Sequence, residues 1–264
     1  MPREKVAMWK QLKNLFAFLT VLPLRMDMDC LTDSAKIMWL FPAVGAVIGL
    51  IAGVFSWAVN LFVPAIVAGA LALGLLLLLT GLHHTDGLLD FGDAVMYHGT
   101  PERKIEIMHD QLTGAGALGL GMITYLVTAL AFGELNRTAI LYGVTVPLVV
   151  PALIVIEASA KLSMVVGAWA GNPVHEGMSS TFLKVMHGKS GSVRLVAAIV
   201  ICFAIAVPLL LFAGFVSVVA AFLTGIVMVA VAHHHFKGVT GDVLGATNEL
   251  TRMVCVVVLL AVLR

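Results

Sequence analysis

Residues 80–110 read TGLHHTDGLLDFGDAVMYHGTPERKIEIMHD. They begin where a long apolar run stops, at Leu79, and they gather carboxylates, histidines and glycines into one short segment. Asp86, Asp90 and Asp93 stand at i, i+4 and i+7, so a helix here projects all three from one face. Like charges on one stripe repel, by a few tenths of a kcal/mol per pair at an exposed site and by more beside a membrane. A divalent cation removes that penalty. Mg²⁺ suits such a face, because it takes hard carboxylate oxygens, keeps several waters and accepts phosphate oxygens from a substrate. The competing reading is a polar loop between two membrane helices, whose acids simply meet water.

Composition frames the rest. Hydrophobic residues make up 60% of the 264 positions and charged residues 12%, with a mean hydropathy of +1.03. Soluble domains have about 45–50% apolar and about 25% charged residues, so the chain is expected to be an integral membrane protein. A net charge of +1 excludes a nucleic-acid binder that works through bulk positive charge. Cys30, Cys202 and Cys255 are scattered without CxxC or metal spacing, which fits small core residues rather than disulfides. No repeat or domain boundary is visible, and residues 1–264 read as a single integral membrane catalytic domain.

Working outward from the acidic stretch, residues 1–25 place Arg3, Lys5, Lys10, Lys13 and Arg25 among Val6, Trp9, Leu12, Phe16 and Leu19 at helical spacing. That pattern predicts an amphipathic helix, either lying in the membrane interface or packed on the bundle. At about 20 apolar residues per crossing, spans are expected near 37–60, 64–82, 115–133, 139–169, 195–213, 215–235 and 243–263. The run at 139–169 is long for one crossing. Pro147 and Pro151 could kink it, or it could hold a re-entrant pair. The fold class is therefore all-α: a polytopic helix bundle of about seven transmembrane helices, with eight admitted. With the N-terminus inside, one side receives most lysines and arginines, while the other holds Arg137 and Arg264. The positive-inside rule then puts residues 83–113, 170–194 and 236–242 on the cytoplasmic face.

Those segments hold most of the remaining chemistry. Asp242 and Glu249 stand at i and i+7 where the last apolar helix begins, a second candidate metal or phosphate site. The bland alternative for Asp242 is an N-cap or first-turn acid, whereas an acid as deep as Glu249 is costly and usually functional. Glu157 and Lys161 form an i, i+4 pair in an apolar run, either a structural ion pair or a lysine aimed at an anionic substrate. The His233–His235 run lacks HExxH spacing and fits interfacial residues ending a span. His84 adjoins the acidic face and could hydrogen-bond phosphate or move a proton. Gly114, Gly116, Gly119 and Gly121 follow Asp110 without a P-loop pattern. Close helix packing explains Gly119 and Gly121.

TGLHHTDGLLDFGDAV resembles the acidic segment of the cobalamin synthases, the adenosylcobinamide-GDP ribazoletransferases often called CobS. The resemblance continues in order through FLTVLPL at 18–24, FPAVGAVIGLIAG at 41–53, KIEIMHDQLTGAGAL at 104–118 and TGDVLGATNEL at 240–250. His84, Asp86, Gly87, Asp90 and Asp93 match the first motif, Asp110 and Gly114 the second, and Gly241, Asp242, Gly245 and Glu249 the last. The resemblance implies a multi-pass enzyme in the cell membrane of a prokaryote, joining adenosylcobinamide-GDP to α-ribazole or its 5′-phosphate with release of GMP. It implies Mg²⁺ as cofactor, held by Asp86, Asp90, Asp93, Asp242 and Glu249. His84 or an aspartate would be the base, and Gly87, Asp110, Gly114, Lys161, Gly241 and Gly245 would contact substrate. Leu112 departs from the family pattern, where arginine is common, which leaves Lys161 as the candidate phosphate cation. The lipid bilayer is the expected setting, with a homo-oligomer or other corrin-pathway enzymes as compatible partners and no nucleic acid. Two other classes compete. A CDP-alcohol phosphotransferase would carry DGxxAR, which is absent here, and a cation transporter would carry its acids at mid-depth rather than at one face.

Overall fold

A computed structural model describes residues 2–25, 27–141 and 143–264, with side chains described for all of these except 2–7, 138–141 and 144. Its elements are α1 (Pro2–Leu19), α2 (Cys30–Lys36), α3 (Phe41–Asn60), α4 (Ala65–Leu79), α5 (His83–Met96), α6 (Pro101–Met108) and α7 (Ala115–Glu134). A short hairpin, β1 (Thr138–Leu141) and β2 (Val144–Pro147), then precedes α8 (Val149–Ala170), α9 (Met178–His187), α10 (Gly191–Phe236) and α11 (Gly241–Val262).

Helix α8 is the axis of the bundle. Nearly every residue from Val149 to Ala168 is buried, with α3, α10 and α11 packed around it. The close approach of α3 is set by glycines one turn apart. A Cβ at Gly45 would stand 2.4 Å from the Glu157 carbonyl oxygen, and one at Gly49 would stand 2.2 Å from that of Leu153. In a bilayer, where lipid is as apolar as leucine, such backbone proximity replaces the hydrophobic effect as the source of helix association.

Helix α10 runs 46 residues, about 69 Å at 1.5 Å per residue and far beyond one crossing. It folds back on itself at Leu211, whose φ of 52° and ψ of −128° are not helical. Phe203 and Phe215 would lie about 18 Å apart along a straight helix, yet their rings stack at 5.4 Å. Residues 191–210 and 212–236 are therefore two antiparallel arms. Among the described residues five helices are long and apolar enough to cross a membrane, or six if the α4–α5 pair, bent by 96°, is one broken span. Dividing α10 at Leu211 makes seven.

The 139–169 run differs from the expectation of an over-long or re-entrant span. Its first part is the β1–β2 hairpin, with Thr138 paired to Pro147 and Leu141 to Val144. Gly143 takes the left-handed φ of +77° at the turn. Pro151 does not kink α8. It lies in the first turn, where the backbone N–H groups have no intrahelical acceptor to lose. The ground for an eighth span disappears with it.

The two ends of the bundle differ in charge. Phe18 meets Phe182 at 5.1 Å, the Asn172 N–H donates to His233 Nε2, and Lys237 pairs with Glu102. These contacts gather the ends of α1, α6, α9 and α10, and with them most of the lysines and arginines. At the opposite end Ser56 donates to Asn136, and Arg137 donates to the Leu263 carbonyl. Helix α1 packs one face on α2 and α9, with Leu15 and Leu19 buried and Trp9 73% exposed. The side chains of Arg3, Lys5 and Val6, which belong to its expected amphipathic pattern, lie outside the described residues.

Candidate active site

Helix α5 begins after a bend of 96° from α4. Gly81 and Leu82 both take left-handed φ, +67° and +60°, and turn the chain sharply after α4. The helix then runs antiparallel between α7 and α11. Thr85 accepts from the Tyr125 hydroxyl at 2.9 Å on one side. On the other, a Cβ at Gly87 would stand 2.9 Å from the Asp242 backbone, and one at Gly245 3.3 Å from the His84 Cα. Only a residue without a side chain lets α11 come this near.

That contact sets the first turn of α11 beside the acidic stripe. Thr240, not Asp242, is the N-cap, accepting from the Val243 N–H at 3.3 Å. Asp242 is thereby left in the first turn, within the electrostatic field of Asp86, and Asp90 lies in the fields of Asp86, Asp242 and Asp93. Asp86 is exposed, while Asp90 and Asp242 are half-buried. Among the described residues no three acidic, histidine or cysteine side chains converge closely enough to hold a metal ion by themselves. The donor set still fits Mg²⁺, which is commonly held by one or two carboxylates with substrate phosphates and waters completing its shell.

Asp93 has a different position from its two neighbours. Its Oδ2 accepts from the Gly114 N–H at 2.6 Å and its Oδ1 from the Ala117 N–H at 2.9 Å. It thus closes the open N-terminus of α7, where helix N–H groups have no internal partner. Gly114 belongs to the same joint, since a Cβ there would stand 2.6 Å from Asp93 Oδ1. Beside this joint a cavity of about 430 Å³ opens, walled by Met96, Tyr97, Ile107 and Leu112 and edged by Asp110. Asp110 Oδ1 accepts from the Leu112 N–H at 3.2 Å, which shapes the loop leading into α7.

His84 lies on the other side of α5. At 100° per residue it is about 160° around the helix from Asp86. It is buried there, near the charges of Lys161 and Arg252, with no partner for its Nδ1 among the described residues. Below it α8 and α11 share a fully buried polar network. Arg252 donates to both carboxylate oxygens of Glu157, at 2.5 and 3.1 Å, and also pairs with Glu249. Asn248 donates to Glu249 at 3.0 Å and accepts from Lys161 at 2.7 Å. Of the two readings left open for Glu157 and Lys161, neither is seen: each makes a cross-helix contact instead, Glu157 with Arg252 and Lys161 with Asn248. Glu249, expected as a metal ligand, and Lys161, expected at a phosphate, are both engaged inside the bundle instead. Arg252, the partner that sequence reasoning missed, carried a visible signal: a full charge three residues beyond Glu249 in an apolar helix.

Gly241, exposed at the start of α11, has open space around it. The histidines ending α10 are structural ties, as their interfacial position suggested: His233 holds the Asn172 N–H, and His235 Nδ1 meets Lys104 Nζ at 2.6 Å. Close by, the Lys237 ammonium holds the Glu102 carboxyl down to about 2. Of the glycines after Asp110, Gly121 packs against Leu89, while Gly119 faces open space.

Comparison with known proteins gives a consistent result. The family model for cobalamin-5-phosphate synthase matches residues 11–260. An adenosylcobinamide-GDP ribazoletransferase of Methanocella arvoryzae is 31% identical, covering 96% of both chains. One of Halorubrum lacusprofundi is 32% identical over 92% of this chain and 93% of its own. One of Methanococcoides burtonii is 28% identical over 94% of this chain and 90% of its own. No solved structure matches.

Proposed function

The chain belongs to the cobalamin-5-phosphate synthase family, and on that premise we propose that it catalyses the ribazoletransferase reaction for which its relatives are named. In that reaction a hydroxyl of α-ribazole, or of its 5′-phosphate, forms a bond to the phosphorus carried by cobinamide. The bond from that phosphorus to the oxygen of GMP breaks, and GMP departs with the electron pair. The observation that carries the reading is the meeting of Asp86 and Asp90 on α5 with Asp242 on α11, brought about by Gly87.

Asp86, Asp90 and Asp242 would hold Mg²⁺ together with the substrate's pyrophosphate. When bound, the ion supplies neutralisation of the charge shared between the transferred and departing phosphates. Asp86, exposed on the acidic face, would also receive the hydroxyl proton. His84 faces the bundle interior and is assigned to supporting α5 rather than to proton transfer. Asp93 acts one step removed, fixing α7 and the loop from Asp110 to Gly114 against α5. The cluster of lysines and arginines at the same end as this face supports a cytoplasmic orientation in the cell membrane. The whole chain serves as one catalytic unit.

The test follows GMP release from adenosylcobinamide-GDP by detergent-purified protein, with and without α-ribazole, each in Mg²⁺ or EDTA. Release that requires both ribazole and Mg²⁺ is expected. Release that persists undiminished in EDTA would remove the metal from the reading, and no release from folded protein would remove the reaction.

A further inference from the structure

The cavity beside the acidic face joins apolar walls to two carboxylates. It is walled by Met96, Tyr97, Ile107 and Leu112, with Asp110 at its edge and Gly114 at its floor. Its volume of about 430 Å³ lies in the range of small-molecule sites, about 300–1,000 Å³. The Tyr97 ring lies against Gly99, where a Cβ would stand 2.4 Å from it. Two carboxylates, those of Asp93 and Asp110, line the cavity, and among the described residues no lysine or arginine does, so the lining offers a phosphate no counter-charge. Asp93 has each oxygen already accepting a backbone N–H. Asp110 is exposed, and among the described residues its Oδ2 carries no hydrogen bond. The cavity thus offers an aromatic wall, aliphatic surfaces, the Thr113 side chain and the Asp110 carboxylate, about one helical turn beyond Asp90.

We propose that this cavity receives the guanine base of the nucleotide half of the substrate, with Asp110 as the residue that selects it. The inference rests on the reaction proposed above and adds its nucleobase specificity. Guanine presents two adjacent donors, the N1–H and the N2 amino group, to one carboxylate, a charge-assisted two-point contact. Adenine places an acceptor, N1, where a donor is needed, and the carboxylate repels it. The alkylated benzimidazole of α-ribazole has no N–H donor, so Asp110 gives it no such two-point contact. Stacking on Tyr97 tolerates any base and contributes affinity without choice. The separation from Asp90 leaves the span of a ribose between the base and the phosphates.

The test compares adenosylcobinamide-GDP with its inosine and adenosine diphosphate analogues, reading nucleoside monophosphate release as kcat/KM. Guanosine is expected to exceed inosine severalfold and adenosine at least tenfold. Asp110→Asn should lower the guanosine value at least tenfold and raise the adenosine value relative to it, because an amide offers one donor and one acceptor. The KM for α-ribazole should stay within twofold. Tyr97→Ala should weaken all three nucleotides alike. Inhibition of the wild-type protein by GMP, IMP and AMP gives the same ranking without any variant. Equal inhibition by the three, or an Asp110→Asn protein with wild-type base preference, would overturn the proposal. Absence of release from all three analogues would instead overturn the reaction on which it rests.

Discussion

Asp90 and Asp93 are three residues apart on one helix, yet they have different environments. Asp93 has both oxygens occupied by the N–H groups that open α7, whereas Asp90 lies half-buried among Asp86, Asp242 and Asp93. Asp90→Asn should therefore lower GMP release at least a hundredfold while the thermal midpoint stays level or rises, since the change removes repulsion among acids. Asp93→Ala should instead cost about 1–3 kcal/mol of stability, the usual penalty for leaving buried donors unpaired, measurable as a lowered midpoint in detergent. A purely structural role for Asp90 would show the opposite pattern. The sequence made the three acids visible as one face, because helical spacing alone puts them there. It could not separate Asp93 from the others, since the N–H groups it holds belong to residues more than twenty positions away.

Helix α5 itself was legible from its spacing, and so were most of the spans, because hydropathy acts through length and composition. The hairpin of β1 and β2 was not. Thr138–Pro147 is as apolar as the helix that follows it, so no composition boundary marks Leu148. The contact between α5 and α11 was equally hidden. Gly87 reads as a motif glycine in the sequence, and only the fold shows that its missing Cβ admits the Asp242 backbone. Gly87→Ala should push the two helices apart by a few tenths of an ångström or more. The expected result is at least a tenfold loss of kcat with an overpacking cost of about 1–3 kcal/mol. Full activity in Gly87→Ala would mean that the α5–α11 approach does not set the site. Arg252 binds the other end of this pair of helices to α8. Arg252→Met strands Glu157 and Glu249 without a counter-charge and should cost about 3–5 kcal/mol. Arg252→Met combined with Glu157→Gln and Glu249→Gln should recover much of that stability, which denaturation in detergent would show.

Taken as a whole, the molecule sets its buried charges against each other and leaves one group of acids outside any ion pair among the described residues. Glu157, Glu249, Lys161 and Arg252 are fully buried and contact one another or Asn248. That closed network explains why two charges that the sequence offered as site residues are drawn into the interior: a charge at membrane depth is stable only beside its opposite. Among the described residues the acids of α5 and the first turn of α11 form no ion pair, although the field of His109 reaches Asp242, and they lie at the end of the bundle where the lysines and arginines gather. On the proposed reading, this face needs a cation to work. EDTA should abolish GMP release, and added Mg²⁺ should restore it. The most direct measurement is single-turnover GMP release by Asp242→Asn, in protein whose thermal midpoint matches the wild type, across a Mg²⁺ titration. A rate reduced at least a hundredfold, with more Mg²⁺ needed for half-maximal release, is the predicted result. A wild-type rate with an unchanged Mg²⁺ requirement would contradict a catalytic face built jointly by α5 and α11.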